Sequence, residues 1–175
     1  MNETLKNLID NLLPWWDLGY VFGLIMGLAF IVKGLFAFGV SGKRSQQGSA
    51  PYVVTLIAGI LLLNITGVLD ATSQTFFLEN SATGLADVDN HITVKDDRFG
   101  LYMKLSYMLV VLVGLYGVVQ GGILFDAAGK NGEKFGPAMA HLIGGALAVN
   151  IDKLLLVFSV MVGGGFQQTI SGLFN

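Results

Sequence analysis

The amino-acid sequence predicts an all-α membrane protein of about four transmembrane helices, which form two parallel-repeated helical hairpins after an N-terminal amphipathic helix. The composition is 53% apolar and only 13% charged, and the mean hydropathy is +0.66, far from the average of soluble proteins. Several apolar segments approach the roughly 20 residues that cross a hydrocarbon core of about 30 Å. The order of motifs in the first half of the chain also recurs in the second half. A chain of 175 residues with this content has no room for a separate soluble domain of ordinary size.

Residues 1–16 are predicted to form an amphipathic helix that lies in the membrane interface. Its apolar residues recur at helical spacing, with polar residues on the opposite face: Leu5, Leu8, Ile9, Leu12 and Leu13. Pro14 is expected to end this helix, and Trp15 and Trp16 are expected at the membrane surface. A cleaved signal peptide needs a positively charged start, whereas Lys6 is outnumbered here by acidic residues. We therefore expect the segment to be retained.

Four segments are predicted to cross the membrane: residues 18–40, 51–69, 101–125 and 139–162. Polar residues interrupt the last segment, so we expect it to cross as a shorter helix and then to lie in the interface. The predicted organisation has four parts: the amphipathic helix, a first hairpin at 17–70, an outer acidic loop at 71–100, and a second hairpin with the C-terminal tail at 101–175.

Charge in the connecting segments predicts the orientation. The segments 42–50 and 126–138 carry the basic residues Lys43, Arg44, Lys130 and Lys134. By the positive-inside rule, both segments face the cytoplasm. The segment 70–100 is mainly acidic and is expected outside. We therefore expect a bacterial inner-membrane protein with both termini in the periplasm.

The repeat aligns the two halves at an offset of 87 residues before the basic segments and 86 residues after them. The aligned pairs include Gly27 with Gly114, Gly34 with Gly121, Lys43 with Lys130, Pro51 with Pro137, Gly59 with Gly145, and Asn64 with Asn150. Chance is the alternative explanation, since glycines and aliphatic residues align easily between any two membrane segments. The shared order and spacing favour a duplicated hairpin. Both copies have the same orientation, unlike the inverted repeats of many transporters.

Glycines at four-residue spacing are candidates for helix packing. Gly23 and Gly27 form one such pair, and Gly117 and Gly121 form another. Close approach of backbones is a main source of helix association in lipid. Two interpretations remain open, because these residues either pack helices within one subunit or also form contacts between subunits.

Polar residues within the apolar segments each need a partner or water. Lys33 is close enough to the end of its segment to extend toward the cytoplasmic surface. Asn64 and Asn150 are expected to form hydrogen bonds across helices. Asp152 and Lys153 have three open interpretations: they neutralise each other, they mark the outer end of a short span, or they line a water-filled lumen.

Enzymatic motifs are missing from the sequence. No cysteine is present, which excludes disulfides and thiolate metal sites, and His91 and His141 lack metal-ligand spacing. The sequence contains no HExxH motif and no credible pair of catalytic carboxylates. We therefore expect a non-enzyme without a catalytic or metal site, and we identify no specific nucleic-acid site.

A glycine-rich apolar hairpin with a small basic cytoplasmic turn resembles the pilins and pilin-like subunits of type IV secretion and conjugation machines. The four-span layout, with Gly42-Lys43 before Pro51 and Gly129-Lys130 before Pro137, is similar to small inner-membrane proteins of type IVB systems. These are the TraQ kind of I-type conjugative plasmids and the IcmC (DotE) kind of effector secretion. This chain departs from the pilin pattern in being doubled and in lacking a recognisable leader.

The resemblance implies a homo-oligomeric subunit that works with other secretion or conjugation subunits in protein or DNA transfer. It implies no cofactor other than bound phospholipid, and it implies lipid or lumen contact for Lys43, Arg44, Lys130 and Lys134. Two other function classes remain open from the residues. One is a small transporter or ion channel that uses Asp152 and Lys33, and the other is a holin-like pore-forming protein.

Overall fold

The computed structural model describes residues 2–41, 50–77, 98–131 and 133–164. These ranges contain helices and no strand: α1 (Asn2–Ser41), α2 (Ala50–Leu63), α3 (Ile65–Phe77), α4 (Arg98–Asn131), α5 (Phe135–Val149) and α6 (Ile151–Val162). Two helices are long and apolar enough to cross a membrane, and up to four spans result if each bent pair described below counts as one. The prediction of an all-α chain is thus confirmed for the described ranges, and the helices are compatible with a membrane protein.

Helix α1 is continuous from Asn2 to Ser41, with Pro14 inside it. The prediction that Pro14 ends a separate interfacial helix is therefore wrong. Proline removes one backbone hydrogen bond, that to the carbonyl of Asp10. Asp10 is exposed, where water can replace this bond. Leu12 and Trp16, on either side of the proline, pack against the same apolar core, and a helix break there would leave further backbone groups without partners.

Two asparagines mark sharp bends in the chain. Helices α2 and α3 meet at Asn64 with an angle of 83°, and α5 and α6 meet at Asn150 with an angle of 77°. The predicted interruption of the fourth apolar segment is confirmed, and the predicted segment 51–69 is also interrupted, at Asn64. Helix α2 has 14 residues and α5 has 15, or about 21 to 23 Å at the usual rise. Each is shorter than the hydrocarbon thickness of about 30 Å.

The directions of the helices follow from glycines that touch neighbouring helices. Gly19 faces Leu115 and Gly23 faces Val119, so α1 and α4 run in parallel. The contacts of α1 with α2, of α4 with α5 and of α2 with α4 run in opposite directions. Helix α4 lies in the centre, because it packs against α1, α2 and α5. We call residues 2–77 the first half and residues 98–164 the second half.

The connections between helices are shorter than the sequence predicts. Asp126 is predicted in a loop, but it lies in α4, which continues to Asn131. Helix α5 begins at Phe135. The expected outer loop at 71–100 is helical at both ends, since α3 reaches Phe77 and α4 begins at Arg98.

Candidate functional site

In each half of the chain, the long helix crosses a shorter helix where two glycines face one another, and we call this contact a glycine crossing. In the first half, a β-carbon on Gly27 would lie 2.8 Å from the Leu63 nitrogen and 2.9 Å from the Gly59 oxygen. In the second half, a β-carbon on Gly114 would lie 2.7 Å from both the Val149 nitrogen and the Gly145 oxygen. The repeat aligns these glycines with one another. The two crossings are therefore built from the same backbone contacts, in which only glycine allows this approach.

A second contact also matches between the halves. A β-carbon on Gly34 would meet the Leu56 side chain at 2.8 Å, and one on Gly121 would meet the Leu142 side chain at 2.7 Å. These residues lie about two helical turns from each crossing, toward the basic connection. Thus the internal repeat of the sequence corresponds to a repeat of contacts.

The four glycines predicted for packing occupy two kinds of contact. Gly27, Gly117 and Gly121 face the shorter helix of their own half. Gly23 instead faces the other half, where a β-carbon on it would lie 3.3 Å from the Val119 side chain. All four are used within one subunit, and contacts between subunits stay a prediction.

The first polar cluster joins α1, α2 and α4 near the basic connections. Lys33 Nζ donates a hydrogen bond of 2.6 Å to Asp126 Oδ2, and Thr55 Oγ1 donates one of 2.5 Å to Asp126 Oδ1. The Lys33 ammonium also lies 5.3 Å from the centre of the Phe30 ring, within the range of a cation–π interaction. The lysine side chain is 45% exposed, whereas the aspartate side chain is 9% exposed. The cluster therefore buries the carboxylate and leaves the lysine partly accessible.

Asp126 is the residue of this cluster that sequence reasoning missed. It follows the apolar segment 101–125 directly, and for that reason the sequence groups it with the basic connection. A signal was present, because a lysine within an apolar segment requires a partner. Lys33 and Asp126 are 93 residues apart, so only the tertiary structure identifies the pair.

The second polar cluster lies at the bend of the second half. Lys153 Nζ donates a hydrogen bond of 2.6 Å to Ser73 Oγ in α3 of the first half. Asp152, Lys153 and Ser73 are all buried. Asp152 also lies in the first turn of α6, where a negative charge interacts favourably with the helix dipole. The chain bends just before these residues, so the pair lies at the end of the short helix α5.

The two bend asparagines have different surroundings. Asn64 is exposed, and its side chain lies so close to Gly67 that a β-carbon there would collide with it. Asn150 is fully buried, and its Nδ2 donates a hydrogen bond of 2.9 Å to the Ala146 oxygen of the preceding helix. The expected bond across helices is therefore not made by this amide nitrogen. Asn150 Oδ1 is buried with no hydrogen-bond partner among the described residues.

Helix α6 has its polar residues inside and its apolar residues outside. Asp152, Lys153 and Ser159 are buried. The exposed apolar residues of this helix are Leu154, Val157, Phe158, Val160, Met161 and Val162. A soluble helix shows the opposite arrangement. The pattern of α6 is thus typical of a helix whose outer surface contacts hydrocarbon.

The four predicted basic residues are not brought together in the described ranges. Lys134 is exposed at the turn before α5. Lys130 belongs to the last turns of α4, and its side chain lies outside the described features. Lys43 and Arg44 lie outside the described residues.

An apolar groove follows the surface between α1 and α4. Its volume is about 770 Å³, and Gln120 is the one amide side chain in its lining. In the described part of the chain, no three acidic or histidine residues approach closely enough to hold a metal ion. Lys33 bonds to Asp126 in the first cluster, and Lys153 bonds to Ser73 in the second.

Comparison with protein-family models, with curated proteins and with solved structures gives no match to this chain.

Proposed function

We propose that this protein is a non-enzymatic, homo-oligomeric inner-membrane subunit of a type IV secretion or conjugation channel, of the type IVB kind. Each subunit contains two pilin-like hairpins in the same orientation, α1 to α3 and α4 to α6, with both termini in the periplasm. The observation that carries the proposal is the repeated contact set around Gly27 and Gly114. A subunit made of two equivalent packing units suits an assembly built by repetition of hairpins.

The use of the charged residues supports a structural role rather than catalysis. Lys33 and Lys153 each bond to the opposite half. Such bonds fix the two halves against one another inside the bilayer, where an isolated charge is costly. The layout of glycine-rich helices and basic turns, which resembles pilin-like subunits, supports the assignment to a secretion or conjugation channel.

The basic turns are proposed to contact anionic phospholipid or the lumen of the channel. Lys134 is exposed at one of these turns. Each basic residue near an anionic membrane surface contributes about 1 kcal/mol of attraction. Lys43, Arg44 and Lys130 are assigned the same role from the repeat in the sequence.

A transfer assay tests this function in the bacterium that encodes the chain. Deletion of the gene is expected to abolish DNA or protein transfer, and the gene supplied in trans is expected to restore it. A variant with Lys43, Arg44, Lys130 and Lys134 all changed to Gln is expected to transfer poorly and to retain less phospholipid on purification. Transfer that is unaffected by the deletion contradicts the proposal.

A charge-preserving variant is the matched control. Changing Lys43, Lys130 and Lys134 to Arg keeps the charge at every position, so transfer and topology should both remain. A topology reporter is measured on each variant, because basic residues also set orientation during insertion. Inverted topology in the Gln variant would assign these residues to insertion only.

A second candidate function is a small transporter or ion channel. The observation in its favour is the pair of broken helices, since transporters place binding sites at discontinuous helices near the bilayer centre. Asp152 and Lys153 lie at one such break. Lys33, the other residue assigned to this role, bonds to Asp126 in the first cluster, so the two residues would act at separate points of a transport path.

Flux through purified protein in liposomes tests the second candidate. A transporter should give a flux of protons or monovalent cations that the Asp152→Asn variant lowers at least tenfold. The Thr75→Val variant is a control, because this exposed threonine bonds only to its own helix. Equal flux with empty liposomes would exclude this function.

A further inference from the structure

The groove between α1 and α4 combines a long apolar surface with one amide group. The α1 wall is formed by residues from Leu12 to Ile25, and the α4 wall by residues from Leu112 to Ile123. Gly19 at the floor lies against Leu115. Several side chains of the walls are more than half exposed, among them Ile25 and Tyr116. A groove of this kind can receive a neighbouring helix.

Gln120 has no side-chain hydrogen bond to any residue that the structure describes. Lys33, which the repeat aligns with Gln120 at an offset of 87 residues, bonds to Asp126. A primary amide has two donors and an acceptor. In hydrocarbon such a group favours association with a partner that can bond to it.

The depth of Gln120 restricts what this partner can be. The apolar stretch of α4 runs over Gly100–Gly129. Gln120 is about five residues from its middle, or roughly 8 Å along the helix, while half the hydrocarbon thickness is about 15 Å. Lipid headgroups and esters lie farther out than this. An acyl chain reaches the amide but offers it no hydrogen bond.

We propose that the groove between α1 and α4 is a contact between two copies of this chain, centred on Gln120. The inference rests on the homo-oligomer of the proposed function and names its surface. Copies inserted in the same orientation are related by an axis along the membrane normal. Each residue therefore meets the neighbouring copy near its own depth. Gln120 therefore lies beside the partner subunit's Gln120. The NH₂ group of each side-chain amide can donate a hydrogen bond to the oxygen of the other.

Cross-linking in membranes tests this contact, with one thiol in each variant, because the chain has no cysteine. Ile25→Cys places a thiol on the groove wall, and Ile60→Cys places one on α2 outside the groove. These isoleucines are 60% and 57% exposed. They lie at similar depth, because Gly59 packs against Gly27.

We expect a short thiol cross-linker to give at least fivefold more dimer with Ile25→Cys than with Ile60→Cys. Adding Gln120→Met to the Ile25→Cys chain should lower the dimer yield at least threefold. Methionine has a similar length but lacks the amide, and monomer stability in detergent is measured to show that the chain still folds.

Equal yields at the two thiol positions, or a Gln120→Met chain that cross-links like its parent, overturn the proposal. Labelling of the groove by a photoactivatable acyl-chain lipid without dimer formation also overturns it, in favour of a lipid occupant. The chain is expressed alone for this experiment, without a secretion machine. If the dimer forms but transfer is normal after deletion of the gene, the contact stands and the proposed function is rejected. If no dimer forms but the deletion abolishes transfer, only the contact is rejected.

Discussion

The two halves of the molecule share their glycine contacts and differ in their charged residues. Gly27 with Gly59 and Gly114 with Gly145 make the same crossing. The charged positions and Thr55, by contrast, align with different residues. Lys33 aligns with Gln120, Asp126 with Gly39, Thr55 with His141, Asp152 with Thr66, and Lys153 with Gly67.

This difference separates the contacts that form each half from those that join the halves. Each half gives one lysine to the other: Lys33 bonds to Asp126, and Lys153 bonds to Ser73. Two identical halves could pair with any neighbouring copy. Unequal polar residues favour pairing of a first half with a second half.

The largest expected effect tests whether the two crossings are equivalent. Gly59→Ala and Gly145→Ala should each destabilise the fold by about 2 to 3 kcal/mol, toward the upper end of overpacking costs. The reason is that the new β-carbons would lie 2.7 to 2.8 Å and 2.6 Å from atoms of the facing helix. Unfolding in mixed detergent micelles measures the loss.

Gly144→Ala is the control for this pair, since a β-carbon there meets nothing within 4 Å. It should leave stability unchanged or raise it slightly. A large loss in one half only would show that the crossings are not energetically equivalent.

A smaller effect is expected at two serines that the repeat aligns. Ser73 and Ser159 are both buried, but Ser73 accepts a hydrogen bond from Lys153 while Ser159 donates to Leu156 of its own helix. Ser73→Ala should cost about 1.5 to 3 kcal/mol, the range for a bond to a charged group. Ser159→Ala should cost about 0.5 to 1 kcal/mol, as for a neutral bond. The same unfolding measurement compares them, and equal costs would remove the Lys153 bond as the source of the asymmetry.

The last test of this comparison concerns Thr55, whose aligned residue is His141. Thr55→Val keeps the shape of the side chain and removes the hydroxyl that bonds to the Asp126 carboxylate and lies 3.1 Å from the Pro51 oxygen. It should cost about 1.5 kcal/mol, the lower end for a bond to a charged group, because Lys33 continues to bond to Asp126. Its effect should not add to that of Lys33→Gln, because both side chains contact one carboxylate, whereas it should add to that of Ser73→Ala. Double-mutant cycles measure the interaction free energy between each pair of substitutions. Additivity of Thr55→Val with Lys33→Gln would show that the three groups do not act as one cluster.

The sequence alone determined the helical class, the apolar segments and the positions of the repeat. These features depend on local properties: hydropathy over about 20 residues identifies a span, and glycine or asparagine at matched spacing identifies a duplication. The interruption at Asn150 was visible for the same reason, since polar residues there end an apolar run. Asn64 stands alone within its apolar run, so the 83° bend at this position gave no comparable signal.

Only the tertiary structure decided which polar residues meet. The two lysine bonds join residues 93 and 80 positions apart, and hydropathy contains no information about such pairs. Helix α1 continues through Pro14 because side chains before and after it pack on one core, which outweighs the local preference of proline. Asp126 became a buried partner rather than a loop residue because α4 extends past its apolar run to reach Lys33. In each case a contact between distant parts of the chain outweighed the local pattern.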